Sequence, residues 1–591
     1  MQKILYRLFP FLNWIGELRK FHILRADLMA GVTVAMILIP QSMANAQLAA
    51  LPPYYGLYAA FLPPVVAALF GSSRQLSTGS VALVSLMAAA ALQPIIANHP
   101  EDYIAYTILL SLMVGVIQLA MGVFRLGALV NFLSQPVVLG FTNAGAIIIG
   151  TSQIDMLFGV QTIHGGLHYL RVWHTLVASI TQTHLPTLGM AILAFAIMGG
   201  LRWFMPRLPG ILIAVVVTTG LSWGVDFESQ LGGHVVGSIP KGIPAFSVPD
   251  IDFDVMRSLL SAAVTIALIG FVGTISIAKS IATQTRQRIE ANQELIGQGL
   301  SNLVGSFFLS HPVSGSFARS AVNLRAGAQT GFSSVVAVSI VVVILLWVTP
   351  LLYHLPLSTL AAIIMMSVFG LVQIKPIRRM WRVHQHDGLV AVVSFVLTLI
   401  SAPHLDVGIV IGAGLSLILY LYHTMRPRVA ILSRHPDGAL RDAPTHKLET
   451  CEVIAMLRFD GSLYFGSARA FEDMILERVA QNPQLRYVIV DAEGINQIDA
   501  TGEAVLIDVV DRLKEAKIEV LFARMKMQIL EVLERTGSRD QIGRDRFFST
   551  PEQALNMVWH RVEDGNLCVR SCPGECPLYR AKPKGAIFYN V

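Results

Sequence analysis

Across residues 1–424 only 35 side chains are Asp, Glu, Lys or Arg, about 8%. A water-solvated domain carries roughly 25%. A stretch this long and this poorly charged has to meet hydrocarbon rather than water. From 425 to 591 the proportion is about 28%, which is ordinary soluble protein. The chain therefore divides into a large membrane domain and one soluble domain. A disordered chain, a secreted disulfide scaffold and a purely soluble enzyme are excluded. The net charge of +6 sits in short loops between apolar runs, so a bilayer rather than nucleic acid is the expected partner.

A helix needs about 20 residues to cross roughly 30 Å of hydrocarbon. Fourteen apolar runs are candidates: 28–49, 55–71, 78–94, 103–123, 128–151, 187–203, 208–225, 257–282, 291–309, 316–328, 332–350, 356–373, 387–402 and 406–424. Two of them, 78–94 and 316–328, are short and begin in Ser/Gly-rich sequence. The more polar 165–184 reads as an extracellular interfacial piece. With a cytoplasmic N-terminus, nineteen Lys/Arg fall on inside loops and tails, against Arg171, Lys241 and Arg257 outside. The excess of inside cations predicts cytoplasmic N- and C-termini. No cleavable signal is expected, because Lys3, Arg7, Arg19, Lys20 and Arg25 crowd the start. All four cysteines, Cys451, Cys568, Cys572 and Cys576, lie in the soluble part, which fits a reducing cytoplasm.

The membrane part repeats itself. Thr78-Gly-Ser-Val-Ala82 recurs as Ser314-Gly-Ser-Phe-Ala318, and Val32-Thr-Val-Ala35 as Val264-Thr-Ile-Ala267. The offsets, 236 and 232, pair spans 1 with 8 and 3 with 10. Seven spans per half is an odd number, so the second half is inverted, the arrangement of many transporters.

A helix that starts inside the bilayer has N–H groups that hydrocarbon cannot satisfy. An anion can, and the peptide dipoles favour it there. If Ser80 and Ser316 open two facing half-helices, their ends form one positive pocket; otherwise the runs are tight turns at a membrane surface. Arg319, three residues into the second half-helix, either holds a dianion, sets the local potential, or snorkels or pairs structurally. Gln41 and Asn45 share one face of span 1 after Pro40, and either donate to an oxyanion or join helices. By the repeat offset Gln41 corresponds to Gly273. No span centre carries an unpaired carboxylate. Glu294 is the best candidate for proton coupling, while Asp27 and Asp406 read as helix caps.

The soluble part alternates strand and helix: 453–459, 468–480, 487–490, 500–514, 519–522, 526–534 and 552–559, a small α/β domain. Asp499 can cap the helix that follows it, and Thr501 lies in a first turn where phosphate would be favoured. Cys568, Cys572 and Cys576 match no named metal spacing. No metal site, cofactor site or catalytic constellation is expected.

The run Arg25-Ala-Asp27 through Pro40-Gln41 to Pro52-Pro53-Tyr-Tyr-Gly56-Leu-Tyr58, with Phe70-Gly71-Ser-Ser-Arg74-Gln-Leu-Ser77-Thr-Gly79, resembles the signature of the SulP anion permeases. Pro312-Val-Ser-Gly-Ser316-Phe-Ala-Arg319-Ser-Ala-Val-Asn323 is similar to their tenth span, and Asp499-Ala-Thr501-Gly502 to their STAS domain. The resemblance covers about 20–560. It implies two inverted seven-span repeats like those of uracil permeases, a core domain moving as an elevator against a gate, and a homodimer. Carried over by position, Gln41, Asn45, Ser80, Val81, Ala318 and Arg319 hold the anion, with Ser316 from the residue reading. Thr501 is similar in position to a phosphorylated STAS residue, which implies a regulatory protein there. Gly273 stands where many bacterial relatives carry an acid, so proton or sodium coupling is not expected at that position.

The expected domains are a cytoplasmic segment 1–24, a transport domain 25–425, a linker 426–451, a STAS domain 452–562 and a Cys-containing tail 563–591. The expected function is secondary-active transport of an inorganic oxyanion, sulfate first, across a bacterial inner membrane, with the anion between the N-termini of spans 3 and 10. Bicarbonate, dicarboxylate, an anion channel, or a sensor signalling through the STAS domain remain as alternatives.

Overall fold

The computed structural model describes residues 9–96, 100–128, 134–160, 168–205, 208–564 and 577–578. Contacts divide the chain into two units, Met1–Ser416 and Leu417–Val591.

The first unit is helical. Among the described residues seven helices are long and apolar enough to cross a membrane: Phe21–Leu48, Tyr103–Val123, Gln135–Phe158, Leu185–Phe204, Phe253–Thr285, Phe332–Leu352 and Leu405–Thr424. Shorter apolar helices occupy Tyr54–Phe70, Ala82–Ile95, Gly210–Gly224, Leu357–Val368 and Gln385–Ser401. Ala291–Ser306 and Phe317–Arg325 complete the bundle; the second has only nine residues. The 165–184 segment contains the helix His168–Gln182.

Small residues set how closely the helices approach. A Cβ on Gly115 would lie 2.5 Å from the Leu303 amide nitrogen, and one on Gly299 2.4 Å from that of Leu119. Helices Tyr103–Val123 and Ala291–Ser306 thus touch backbone to backbone, as membrane helices do when no hydrophobic effect holds them together. Buried polar groups add fixed points. Asn302 spans the gap to the returning chain, donating to the Gln118 side chain at 3.0 Å and accepting from the Val313 amide at 2.7 Å. Asp27 is not a helix cap. It lies inside Phe21–Leu48 and accepts from the Gln329 and Thr330 amides at 2.7 and 3.1 Å. Its carboxylate therefore ties the first helix to the turn before Phe332.

Two short strands, β1 (Thr78–Gly79) and β2 (Ser314–Gly315), interrupt this helical unit and pair antiparallel, Thr78 opposite Gly315 and Gly79 opposite Ser314. Each leads into a helix, Ala82–Ile96 and Phe317–Arg325. The chain needs this ribbon because two extended segments inside a bundle would otherwise leave their N–H and C=O groups unpaired.

The second unit is a six-stranded sheet in the order β4-β3-β5-β6-β7-β8. Its strands are β3 Arg428–Arg434, β4 Leu440–Asp442, β5 Ile454–Asp460, β6 Tyr487–Asp491, β7 Glu519–Ala523 and β8 Phe547–Phe548. β5 to β8 run parallel. Helices Ala468–Gln481, Ala500–Glu515 and Met527–Thr536 cover one face, where Phe459, Phe471, Leu506 and Phe522 are buried. Pro551–Asp564 covers the other, against Ile454, Ile489 and Leu521.

The expected linker 426–451 needs correcting. β3 pairs antiparallel with β5 from Arg428↔Asp460 to Ile431↔Leu457, and β4 extends the edge. Ala430, Leu432 and Ser433 are buried. The run Val429-Ala-Ile-Leu432 is a strand because it covers an otherwise bare edge of β5. Cys568, Cys572 and Cys576 lie outside the described residues; Cys451 is buried.

Candidate anion site

The ribbon brings the expected residues to one place, and Ser80 is their hub. Its carbonyl accepts from Asn45 Nδ2 at 2.9 Å and from Arg319 Nη1 at 3.0 Å. Arg319 Nη1 also donates to Gln41 Oε1 at 3.1 Å. Gln41, Asn45, Ser80 and Arg319 therefore form one hydrogen-bonded cluster built from the first helix, the end of β1 and the helix after β2. Pro40 helps locally: it lacks the N–H that would bond the Met36 carbonyl, one turn before Gln41.

Arg319 is fully buried. Among the described residues it makes no ion pair with a carboxylate, and its Nε and Nη2 have no hydrogen-bond partner. A buried cation without a counter-charge costs several kcal/mol, roughly. The unpartnered Nε–Nη2 edge is the part of a guanidinium that meets an oxyanion through two parallel bonds. Gly79 makes room for it: its φ is +149°, and a Cβ there would lie 3.1 Å from Nη2.

The second turn holds the geometry. Ser316 donates its amide to the Ser77 carbonyl at 2.8 Å and caps its own helix through a long 3.5 Å contact from the Arg319 amide. The Gly315 amide donates to Thr274 Oγ1 at 3.0 Å, and Ser314 Oγ to the Gly270 carbonyl at 2.8 Å. Gln298 reaches Thr78 Oγ1 at 2.8 Å. Val81 is half-buried in the turn after β1, while Ala318 and Phe317 are exposed. Beside them Gly273 is exposed too, and a Cβ built on it meets nothing within 4 Å.

Glu294, the expected coupling residue, is not in this cluster. It is buried and accepts from the Ser72 amide at 2.7 Å, the Ser72 hydroxyl at 2.8 Å and the Ser73 amide at 2.5 Å. Its carboxylate staples the 72–73 turn to the start of Ala291–Ser306. The sequence reading missed His311, which is fully buried with Nε2 2.8 Å from Ser80 Oγ. It fell between two apolar runs and read as a loop. The signal was its position three residues before Ser314, where the repeated turn begins.

In the soluble unit Asp499 caps Ala500–Glu515, accepting from the Gly502 amide at 2.8 Å and the Phe465 amide at 2.9 Å. The Gly502 N–H bond, the largest cause, holds its carboxyl below the usual range. Thr501 is exposed in that helix's first turn. Asp491, at the end of β6, is buried and bonded to Arg524 Nε at 3.0 Å.

The chain is similar to known proteins over nearly its whole length. The sulfate permease family profile matches residues 24–394, and a STAS domain profile matches 446–554. The chloroplastic sulfate transporter 4.1 of Arabidopsis thaliana is 32% identical over 577 residues, covering 95% of this chain and 84% of that one. A probable sulfate transporter of Mycobacterium tuberculosis is 32% identical over 547 residues, covering 91% and 96%. The solved structure of the murine solute carrier 26 family member A9 anion transporter, inward-facing, superposes with a TM-score of 0.87 at 21% identity, covering 95% of each chain.

Proposed function

The chain belongs to the sulfate permease family of anion transporters, and on that footing we propose that it carries sulfate by secondary-active transport. The observation that carries this reading is the buried, unpaired guanidinium edge of Arg319, which lies against Gly79 while its Nη1 is held by the Gln41 amide and the Ser80 carbonyl. A tetrahedral dianion satisfies that edge and removes the uncompensated charge. The Ser80 hydroxyl and the N–H groups that open the two short helices supply further donors. Gln41 and Asn45 position: Gln41 fixes one arm of the guanidinium, and Asn45 holds the Ser80 carbonyl. Val81, Ser316 and Ala318 shape the wall.

The proposal extends to the whole cycle. Fourteen crossings in two inverted halves divide into a core that carries the ribbon and a gate, and the core moves as an elevator against the gate. The protein works as a homodimer in a bacterial inner membrane, with both termini cytoplasmic. The likeness to a probable sulfate transporter of Mycobacterium tuberculosis, matched over nearly its full length, supports sulfate as the anion carried. A regulatory protein meets the soluble domain near Thr501.

The test is flux in proteoliposomes over sulfate, bicarbonate and a dicarboxylate. Sulfate should saturate at the lowest concentration. Ser80→Leu should abolish binding in a folded protein. If Ser80→Leu and Arg319→Ala both keep wild-type sulfate affinity, the pocket lies elsewhere.

A further inference from the structure

Ser80 has two faces. Its carbonyl serves Arg319 and Asn45, while its hydroxyl meets the His311 ring. His311 is fully buried, and its other nitrogen, Nδ1, has no hydrogen-bond partner among the described residues. A titratable ring thus touches the candidate anion pocket through one side chain and has a vacant nitrogen.

The charges around it are few. Across Ser80 the facing charge is Arg319. Helices Pro63–Phe70 and Ala82–Ile96 carry no titratable side chain. Ala291–Ser306 carries Glu294 alone, and its carboxylate is committed to Ser72 and Ser73. Tyr54–Ala59 and Tyr103–Val123 contribute only the phenols Tyr54, Tyr55, Tyr58, Tyr103 and Tyr106. Phe21–Leu48 has His22, Arg25 and Asp27 near its start. Phe253–Thr285 has Asp254 and Arg257 in its first turns and Lys279 near its far end. Among the described residues no carboxylate bonds to Ser80, Arg319 or His311, so none there holds or repels a proton.

We infer that His311 is the proton-carrying partner of this pocket, taking up one proton with each divalent oxyanion and none with a monovalent one. The inference rests on the Arg319–Ser80 cluster being the anion site. Two arguments lead to it. The first is charge: one guanidinium facing a dianion leaves a net negative charge buried, and a cationic imidazole cancels it. The second is hydrogen-bond direction. A neutral ring can accept from the Ser80 hydroxyl, whereas an imidazolium can only donate. Protonated His311 gives its Nε2–H to Ser80 Oγ, so the hydroxyl hydrogen must turn away, towards the pocket or towards Ser85 Oγ at 3.4 Å. Protonation thereby hands the anion a donor that the neutral ring can occupy. Proton and dianion each raise the other's affinity by the same factor. The proton comes from water on the side where the anion enters and leaves on the side where it is released.

The experiment uses the full chain and radiolabelled sulfate. Calorimetry of sulfate binding in two buffers of different ionisation enthalpy counts the protons taken up; about one per sulfate is expected in the wild type and none with nitrate. In proteoliposomes clamped with potassium and valinomycin, sulfate accumulation should rise about tenfold per unit of imposed pH gradient. His311→Gln, which keeps a partner for Ser80 but cannot carry the proton, should bind sulfate more weakly and without proton uptake, and the sulfate accumulation that remains should no longer follow the pH gradient. Wild-type binding without proton uptake overturns the inference, as does an unchanged pH dependence in His311→Gln. Absent sulfate exchange in the wild type overturns the sulfate reading instead, and with it the dianion this proton serves.

Discussion

The two turns that meet in the ribbon share a sequence pattern and differ in what they do. Thr78-Gly-Ser80 and Ser314-Gly-Ser316 lie opposite each other. Yet Ser80 presents its carbonyl and hydroxyl to Arg319, Asn45 and His311. Ser316 spends its hydroxyl on its own helix and its amide on Ser77. At the repeat offset, Leu83 stands where the second half has Arg319, and Gly273 where the first half has Gln41. The repeat supplies a similar pattern on two paired strands; Gly79, with φ +149°, and the side chains around Ser80 make the first turn different. The Arg319–Gln41 bond runs diagonally, from the second half's short helix to the first half's long one.

The largest effect should follow loss of Arg319, which is buried and pairs with no carboxylate among the described residues. Truncating one member of a buried charge pair costs about 2–5 kcal/mol, so Arg319→Ala should weaken sulfate binding by about thirtyfold or more. Monovalent anions should lose far less. Calorimetry on purified protein reads both, and equal losses would mean that Arg319 sets only the local potential.

Next come the paired glycines. Gly79→Ala places a Cβ against Arg319 Nη2 and forces a side chain into φ +149°. Strain of about 1–3 kcal/mol should appear as a loss of anion affinity of roughly tenfold. At Gly315 the Cβ would meet Thr274 Oγ1 at 2.9 Å, so Gly315→Ala should lower the melting temperature more than the affinity. Reversed outcomes would exchange the two turns' roles.

The serines should divide the same way with smaller numbers. Ser80→Ala removes one hydrogen bond and leaves His311 Nε2 without it, about 1 kcal/mol, or roughly fivefold in sulfate affinity. Ser316→Ala loses only a 3.5 Å cap contact, which is weak at that distance. Its affinity should stay within about twofold. A larger affinity loss for Ser316→Ala would restore the equivalence that the sequence pattern suggests.

That equivalence shows how far the sequence could be read. Repeated Gly-Ser pairs, an arginine in an apolar stretch and two amides four residues apart were legible because each is chemically odd in an apolar run. The antiparallel ribbon was not, since two residues carry no period. Nor was His311: hydropathy places it between spans, and only the fold returns that segment to Ser80. Glu294 misled for the opposite reason. It is the only acid in its helix, and nothing local announces that Ser72 and Ser73, over 200 residues away, have claimed it. β3 was lost because a short strand after a long helix reads as connection until its pairing with β5 is seen.

In the soluble unit the effects should be smaller. Asp499 is held below the usual carboxylate range, first by the Gly502 N–H. Its folded value is depressed, so its contribution to stability is present above the ordinary carboxylate range and lost as pH falls through the folded value. Hydrogen exchange on the full chain should show the first turn of Ala500–Glu515 opening as pH drops below about 4. Asp499→Asn should show faster exchange there already at neutral pH, and protection unchanged by both pH and substitution would remove the cap from the account.

Thr501→Glu is expected to do least. It adds one charge to an exposed first turn, where the helix dipole is worth about 0.3–1 kcal/mol. Asp499 already sits at that helix end, so attraction to the dipole and repulsion by the neighbouring carboxylate compete. A change in sulfate rate of less than about fivefold follows, with the order of anion preference untouched. Removing the whole soluble unit sharpens the point, but the cut has to come after Met425 rather than after Arg434, because β3 belongs to the sheet. Full-length wild type, Thr501→Glu and the chain ending at Met425 should then rank sulfate, bicarbonate and nitrate alike. A reordered series in the truncated chain would mean that the soluble unit takes part in choosing the anion, which nothing at Arg319, Ser80 or His311 requires.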